Sequence, residues 1–244
     1  MTSGAARPAF YALARGGWRD YVTLLHPPYT LWHLSYVVVG GTLAPHVDWR
    51  VLGSTLLAFA LALGVGAHAL DELRGRPLDT TIPTRVLVAL ALGSIAAAAG
   101  IGIAVAVART LWLLAFVAAG AFIVVAYNLE LAGGRFHTDL WFGLAWGGFP
   151  VLTAYFAVAE RLRWDAATAA VFATALSLAQ RALSAEVRAI RRNAVTVTGT
   201  VTYRDGSASA LDPGSLTRTT ERALRLLSAA TVALAVALVV HRLV

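Results

Sequence analysis

The sequence has no cysteine, no lysine and few charged residues of either sign. Without cysteine, the chain has no disulfide, no thiolate metal site and no thiol nucleophile. Only 14% of its 244 residues are charged, against roughly a quarter in soluble domains, while 58% are hydrophobic. This composition predicts a polytopic membrane protein rather than a soluble enzyme.

All 20 basic residues are arginine, and the formal net charge is +7. The arginines fall between apolar segments instead of forming one stripe, so the charge does not indicate a nucleic-acid partner. Residues 1–20 contain three arginines but no long apolar core. We therefore expect no cleavable signal, and we expect the first membrane span to be retained.

A helix needs about 20 largely apolar residues to cross a bilayer. We predict an all-α bundle of seven transmembrane helices in one domain, residues 25–244, preceded by a cytoplasmic segment, residues 1–24. The predicted spans are residues 29–44, 51–70, 85–108, 111–127, 140–159, 166–183 and 224–240.

The arginines also predict the orientation of the chain. With the N-terminus in the cytoplasm, fifteen of the 20 arginines lie on the inner side and five on the outer side. An odd number of spans then places the C-terminus outside. Arginine and alanine in place of lysine are typical of a GC-rich bacterial genome, so we expect the bacterial cytoplasmic membrane.

Residues 193–216 form the one long predicted connection. Valine and threonine alternate around Gly199, and Asp205-Gly206 is typical of a turn, which predicts a small β-hairpin on the cytoplasmic face. Two interpretations stay open, a lid over a cavity mouth and a structured connector.

Three ionisable residues end the second span. His68 precedes Asp71 by three residues and Glu72 by four, so all three share one helix face. Carboxylates at a helix end bind Mg²⁺ together with substrate phosphates, and a histidine with two carboxylates also suits a transition metal. The alternative is simple pairing of Asp71 and Glu72 with Arg74 or Arg76 at the interface.

The end of the sixth span carries Arg181 and Arg188 near the membrane, followed by Arg191 and Arg192. Arginine binds phosphate oxygens in a bidentate manner, so Arg181 and Arg188 suit either a diphosphate or anionic lipid. For Arg191 and Arg192, lipid head groups are the favoured partner. Tyr127 and Asn128 end the fourth span, where they line a cavity or cap the helix.

Three phrases resemble the UbiA superfamily of intramembrane prenyltransferases. The phrase HPPYTLWHLSYVVVGGTLAP resembles the family's opening helix, and DELRGRPLD occupies the place of its Asn-Asp-x-x-Asp-x-x-x-Asp motif. The stretch YNLELAGGRFHTDLWFGLAWGGFPVLTAYF is similar to the passage from the fourth to the fifth helix. The resemblance covers residues 25–190 as scattered phrases.

The resemblance implies a cavity open to the cytoplasm and to lipid, with a site built from the two polar helix ends. Asp71, Glu72 and Asp79 are then expected to bind Mg²⁺ and to act in catalysis. The residues expected to contact substrate are His68, Arg74, Tyr127, Asn128, Arg135, Arg181, Glu186 and Arg188.

The chain also departs from the family pattern. Gly75 replaces the middle aspartate of the motif, only Arg135 remains where a Lys-Arg pair is usual, and Glu186 is what remains of the second aspartate motif. The family usually has nine spans, two more than this chain.

Three functional hypotheses follow. The first is an enzyme that acts on an isoprenoid diphosphate, by prenyl transfer or cyclisation, with Mg²⁺ assisting the ionisation of the diphosphate. The second is a non-catalytic relative that binds or presents a polyprenyl or quinone-type lipid. The third is a metal-dependent membrane hydrolase that uses His68, Asp71 and Glu72.

Overall fold

Helices account for most of the secondary structure in the computed structural model, which describes residues 7–244. A single turn, Leu131–Gly134, lies in the connection between residues 128 and 139. The helices are α1 Trp18–Leu24, α2 Pro27–Thr42, α3 Trp49–Leu73, α4 Thr84–Ala108, α5 Leu113–Asn128, α6 Asp139–Ala159, α7 Trp164–Asn193 and α8 Pro213–Leu243.

Five helices, α3, α4, α6, α7 and α8, are long and apolar enough to cross a membrane. They confirm an all-α integral membrane protein. Two further predicted spans correspond to the shorter helices α2 and α5, each of 16 residues. At 1.5 Å per residue, each of these helices is about 24 Å long.

Local sequence explains where several helices begin. Pro27 and Pro28 occupy the first turn of α2, where a missing N–H costs no hydrogen bond. The Asp48 carboxylate caps α3 by accepting hydrogen bonds from the N–H groups of Arg50 and Val51. Asp212 and Ser215 form a reciprocal capping box at the start of α8.

The β-hairpin predicted between the last two long helices is confirmed. Strands β1 (Thr200–Thr202) and β2 (Ala208–Ala210) pair in antiparallel fashion, and both are exposed. Gly206, with φ of +83°, makes the tight turn between them.

Helix α2 lies inside the bundle, where Trp32, Tyr36 and Val37 are fully buried. The Trp32 indole N–H donates a hydrogen bond of 2.5 Å to the Tyr36 hydroxyl, which satisfies a buried donor. At Gly40, the backbone of α2 approaches Val151 of α6 so closely that a Cβ atom would collide with the Val151 carbonyl. Small residues thus permit direct backbone contact between these helices.

Three of the long helices contain π-helical turns: Ala60–Ala67 within α3, Leu144–Gly148 within α6 and Ala189–Asn193 at the end of α7. Such turns widen the helix, interrupt its regular hydrogen-bond ladder and occur frequently at functional sites. The carbonyls of Gly64 in the α3 turn and Trp146 in the α6 turn accept hydrogen bonds from histidine rings. The two turns therefore shape the cavity described next.

Candidate functional site

A polar cavity of about 330 Å³ lies at one end of the bundle. Side chains from α2, α3, α5, α6 and α7 and from the N-terminal segment line it. Its volume falls within the range of small-molecule sites. The cavity brings together the two polar helix ends that the sequence analysis singled out. His68 and Asp71 line it from α3, and Arg181 and Arg188 line it from α7.

Glu72 points away from this cavity. Its side chain is completely buried, and its carboxylate accepts hydrogen bonds from the backbone N–H groups of Leu78 (3.0 Å) and Thr80 (2.9 Å) and from the Thr80 hydroxyl (2.7 Å). A carboxylate that receives three donors organises the loop after α3. Glu72 therefore stabilises this loop, although the adjacent Asp71 lines the cavity.

Asp79 also lies outside the cavity, on the surface of the same loop. Its carboxylate forms an ion pair with Arg15 at 3.0 Å, and both side chains are more than half exposed. The Asp79 backbone adopts a left-handed conformation, with φ of +53°, which non-glycine residues seldom adopt.

The three carboxylates predicted to hold Mg²⁺ therefore do not converge, and as a set they do not fit that ion. Across residues 7–244, no group of three or more histidines or carboxylates is arranged to hold a metal. Asp71 is the one member of the predicted set that lines the cavity.

Three other predicted substrate residues lie elsewhere. Arg74 joins the ends of α3 and α5, because it donates to the Leu129 carbonyl and pairs with Glu130 at 2.7 Å. Arg135 and Glu186 are exposed on the surface and do not line the cavity.

The cavity carries an excess of positive charge. Arg181 pairs with Asp139 at 3.0 Å and lies over the Phe142 ring. Arg188 and Arg192 instead donate to neutral oxygens, the Ser184 hydroxyl (2.9 Å) and the Pro8 carbonyl (3.4 Å). Arg192 lines the cavity beside Arg181 and Arg188.

Asp71 is the cavity's carboxylate, and it takes part in none of the ion pairs found within residues 7–244. Among the described residues, two of the three cavity guanidinium groups, those of Arg188 and Arg192, form no ion pair with a carboxylate. This excess of positive charge favours an anionic ligand, and arginine is the side chain best suited to phosphate.

Four histidines line the cavity, and each ring is oriented by a backbone carbonyl. The Nδ1–H groups donate over 2.8–3.1 Å to the carbonyls of Leu24, Gly64, Tyr127 and Trp146. In the neutral ring this arrangement fixes the tautomer, in which Nε2 is the hydrogen-bond acceptor. The histidines are His26, His33, His68 and His137.

His26 and His68 form a closely packed pair, with ring centroids 4.0 Å apart. Burial lowers the pKa of His26 well below its usual range, and the neighbouring His68 ring lowers this pKa further. His26 is therefore neutral at physiological pH and adds no positive charge to that of the arginines.

Two buried polar atoms of the cavity lining lack partners in the part of the chain that the structure describes. They are the Tyr127 hydroxyl and the Gln180 side-chain carbonyl, and both residues are at least 95% buried. A buried polar group without a hydrogen bond costs about 1–3 kcal/mol. A ligand that supplies these bonds would recover this free energy.

An apolar pocket of about 110 Å³ adjoins the polar cavity. Leu63, from the π-helical turn of α3, and Trp146, from that of α6, line both spaces and so form the boundary between them. Aromatic rings of Phe59, Phe116 and Phe149 pack along the apolar side. The two spaces together match an amphiphile with a polar head and an apolar chain.

Sequence reasoning did not identify several cavity residues because they come from distant parts of the chain. Tyr11 precedes the first helix, and Tyr29 and His33 lie on α2. Tyr29 and His33 could have been found because they are polar side chains in an otherwise apolar span. Such side chains are rare in membranes unless they face a cavity. No local pattern marks Tyr11.

Comparison of the chain with protein-family models, with curated proteins and with solved structures finds no match.

Proposed function

We propose that this protein is a UbiA-like intramembrane protein that binds an isoprenoid lipid through a phosphorylated head group. The head group lies in the polar cavity, and the isoprenoid chain enters the apolar pocket past Leu63 and Trp146. One observation carries the proposal: a cavity with three arginines, Arg181, Arg188 and Arg192, shares its boundary with an apolar pocket.

The physical basis is complementarity of charge. Guanidinium groups bind phosphate oxygens in a bidentate manner, and the attraction is stronger in a partly buried site than in water. Arg188 and Arg192 donate only to neutral oxygens within the described residues, so both retain donors for a ligand. The proposal includes seven spans, with α2 and α5 completing the set, a cytoplasmic N-terminus and an external C-terminus.

The second candidate is catalysis on an isoprenoid diphosphate, by prenyl transfer or cyclisation, with Mg²⁺. Asp71 favours this candidate, because Mg²⁺ is commonly held by one or two carboxylates together with substrate phosphates. The positions of Glu72, bonded to backbone, and Asp79, paired with Arg15, favour binding without catalysis.

A thermal-unfolding titration in detergent tests the proposal. Geranylgeranyl diphosphate is compared with geranylgeraniol, which has the same chain but no charge, each with and without Mg²⁺. We expect the diphosphate to raise the unfolding temperature more than the alcohol, even without Mg²⁺. Equal stabilisation by the two compounds would contradict a role for the arginines.

The Asp71→Asn variant separates the two candidates. For a binding protein, the variant retains stabilisation by the diphosphate, because the arginines are unchanged. For an enzyme, it loses a stabilisation that depends on Mg²⁺, together with the release of inorganic diphosphate. A requirement for Zn²⁺ or iron in place of Mg²⁺ would favour the metal-dependent hydrolase.

A further inference from the structure

The N-terminal segment contributes part of the cavity wall. Pro8, Ala9, Phe10 and Tyr11 line the polar cavity beside residues of the transmembrane helices. We refer to residues 7–15 as the N-terminal strap. Its presence in the lining shows that the described part of the N-terminal segment packs with the bundle and is not a separate tail.

Side chains of α7 and α8 hold the strap in place. Arg191 and Arg192 donate hydrogen bonds to the carbonyls of Arg7 (3.3 Å) and Pro8 (3.4 Å). The Phe10 ring lies 4.9 Å from the Arg225 guanidinium. Since Arg192 also lines the cavity, one side chain contacts both the strap and the space where a ligand binds.

The far end of the strap is anchored next to a glycine pair. Gly16 and Gly17 have φ of +109° and +63°, conformations that few other residues adopt. The Gly16 N–H donates to the Asp20 carboxylate over 2.8 Å, and Arg15 pairs with Asp79. The strap therefore has a defined path from α1 to the cavity.

Tyr11 is the strap residue that lies among the charged and aromatic groups of the cavity. Its ring centroid is 5.3 Å from that of His26 and 5.5 Å from that of Tyr29. Burial raises the pKa of the Tyr11 hydroxyl, as does nearby Tyr29, while the charges of Arg192 and Arg188 oppose this rise. The hydroxyl therefore keeps its proton at physiological pH and can donate it in a hydrogen bond.

We propose that the strap is a wall of the lipid-binding site and that the Tyr11 hydroxyl donates a hydrogen bond to the phosphorylated head group. This inference rests on the proposed function. The strap closes the polar cavity over the head group, and Arg192 connects the two, because it binds the Pro8 carbonyl and faces the ligand. Tyr11 is thus a binding residue that adds a neutral hydrogen-bond donor to the charges of the arginines.

The first test compares Tyr11→Phe with Tyr21→Phe, a matched change at an exposed tyrosine of α1 that does not line the cavity. The probe is geranylgeranyl monophosphate, and the measurement is its dissociation constant in detergent. We expect Tyr11→Phe to weaken binding about tenfold, as loss of a hydrogen bond to a charged group does. The Tyr21→Phe variant should bind as the unchanged protein does. Equal affinity of the two variants would overturn the assignment of Tyr11.

The second test uses the absence of cysteine from the chain, which makes an introduced thiol unique. Ala9 is 7% exposed in the strap, whereas Ala14 is exposed. We expect Ala9→Cys to react with a charged maleimide more slowly than Ala14→Cys, and more slowly still when geranylgeranyl monophosphate is added. Equal rates for the two thiols would show that the strap does not close the cavity.

The two failures can be distinguished. If the unchanged protein binds no phosphorylated lipid, the proposed function is wrong. If it binds the lipid but the ligand protects neither thiol and Tyr11→Phe has normal affinity, only the inference about the strap is wrong.

Discussion

The two ends of the bundle use arginine in different ways. Asp139 and Glu160 lie at opposite ends of α6, and each pairs with an arginine. At the Glu160 end, Arg109 also approaches Asp48 at 3.7 Å and donates to the Val158 carbonyl. At the other end, only one of the three cavity arginines forms an ion pair with a carboxylate among the described residues.

This difference distinguishes a structural cluster from a binding site. Arg109 connects three interhelical turns and is neutralised by neighbouring carboxylates, so it contributes to the fold. Within residues 7–244, Arg188 and Arg192 bond only to neutral oxygens, so their charge remains available to a ligand. Charges balanced within the protein are therefore expected to affect stability, and unbalanced charges are expected to affect affinity.

The largest expected effect concerns Glu72, the buried carboxylate next to Asp71. Glu72→Ala leaves the N–H groups of Leu78 and Thr80 and the Thr80 hydroxyl without their acceptor. We expect a loss of about 3 kcal/mol in the free energy of unfolding, measured by denaturation in detergent. The control is Asp71→Ala, which should cost much less. Similar losses of stability in the two variants would contradict the structural role assigned to Glu72 alone.

The next effect concerns affinity at the cavity end. Arg188→Gln removes a guanidinium that forms no ion pair in the described part of the chain, and we expect the affinity for geranylgeranyl diphosphate to fall about 10- to 100-fold. The control is Arg204→Gln, on the exposed hairpin. Unfolding temperatures without ligand should change little in either variant. A large loss of stability in Arg188→Gln would show that this residue, like Arg109, mainly stabilises the fold.

Arg109→Gln tests the opposite end. Because its side chain is 30% exposed, solvent weakens its ion pairs, and we expect a loss of about 1–2 kcal/mol in stability. Affinity for the lipid should not change. Arg161→Gln, on the same face but exposed and without an ion pair within residues 7–244, is the control. Reduced lipid affinity in Arg109→Gln would contradict the assignment of lipid binding to the cavity end alone.

The smallest effect is a pH dependence at Asp20, which connects the strap to the loop after α3. Burial acts to raise the Asp20 pKa, but hydrogen bonds from Thr81 and Gly16, together with the charge of Arg15, outweigh burial and lower it. The stability that Asp20 contributes is therefore present above its unfolded pKa of about 4 and is lost as the pH falls through the lower folded value.

Thermal unfolding between pH 3 and pH 7 measures this contribution. We expect Asp20→Asn to reduce the free energy of unfolding by about 1 kcal/mol at neutral pH. On acidification below pH 4, the variant should lose less of its stability than the unchanged protein does. Glu186→Gln, at an exposed position, is the control. An unchanged acid profile in Asp20→Asn would show that other groups determine the acid response.

Much of the fold was predictable because it depends on local signals. Apolar segments of sufficient length predicted the five long helices, and alternating residues with Asp205-Gly206 predicted the hairpin. The helical period also placed His68 and Asp71 on one face, and both line the cavity. These features depend only on residues within a few turns of one another.

The sequence by itself determined a helical membrane protein with polar, arginine-rich helix ends. Only the tertiary structure decided that Asp71 lines the cavity while Glu72 does not. Glu72 instead accepts hydrogen bonds from backbone N–H groups of the loop after α3. The tertiary structure also decided that the strap and α2 complete the cavity. The physical reason is that helical periodicity relates near neighbours, whereas the partners of a charged group are set by packing between distant segments.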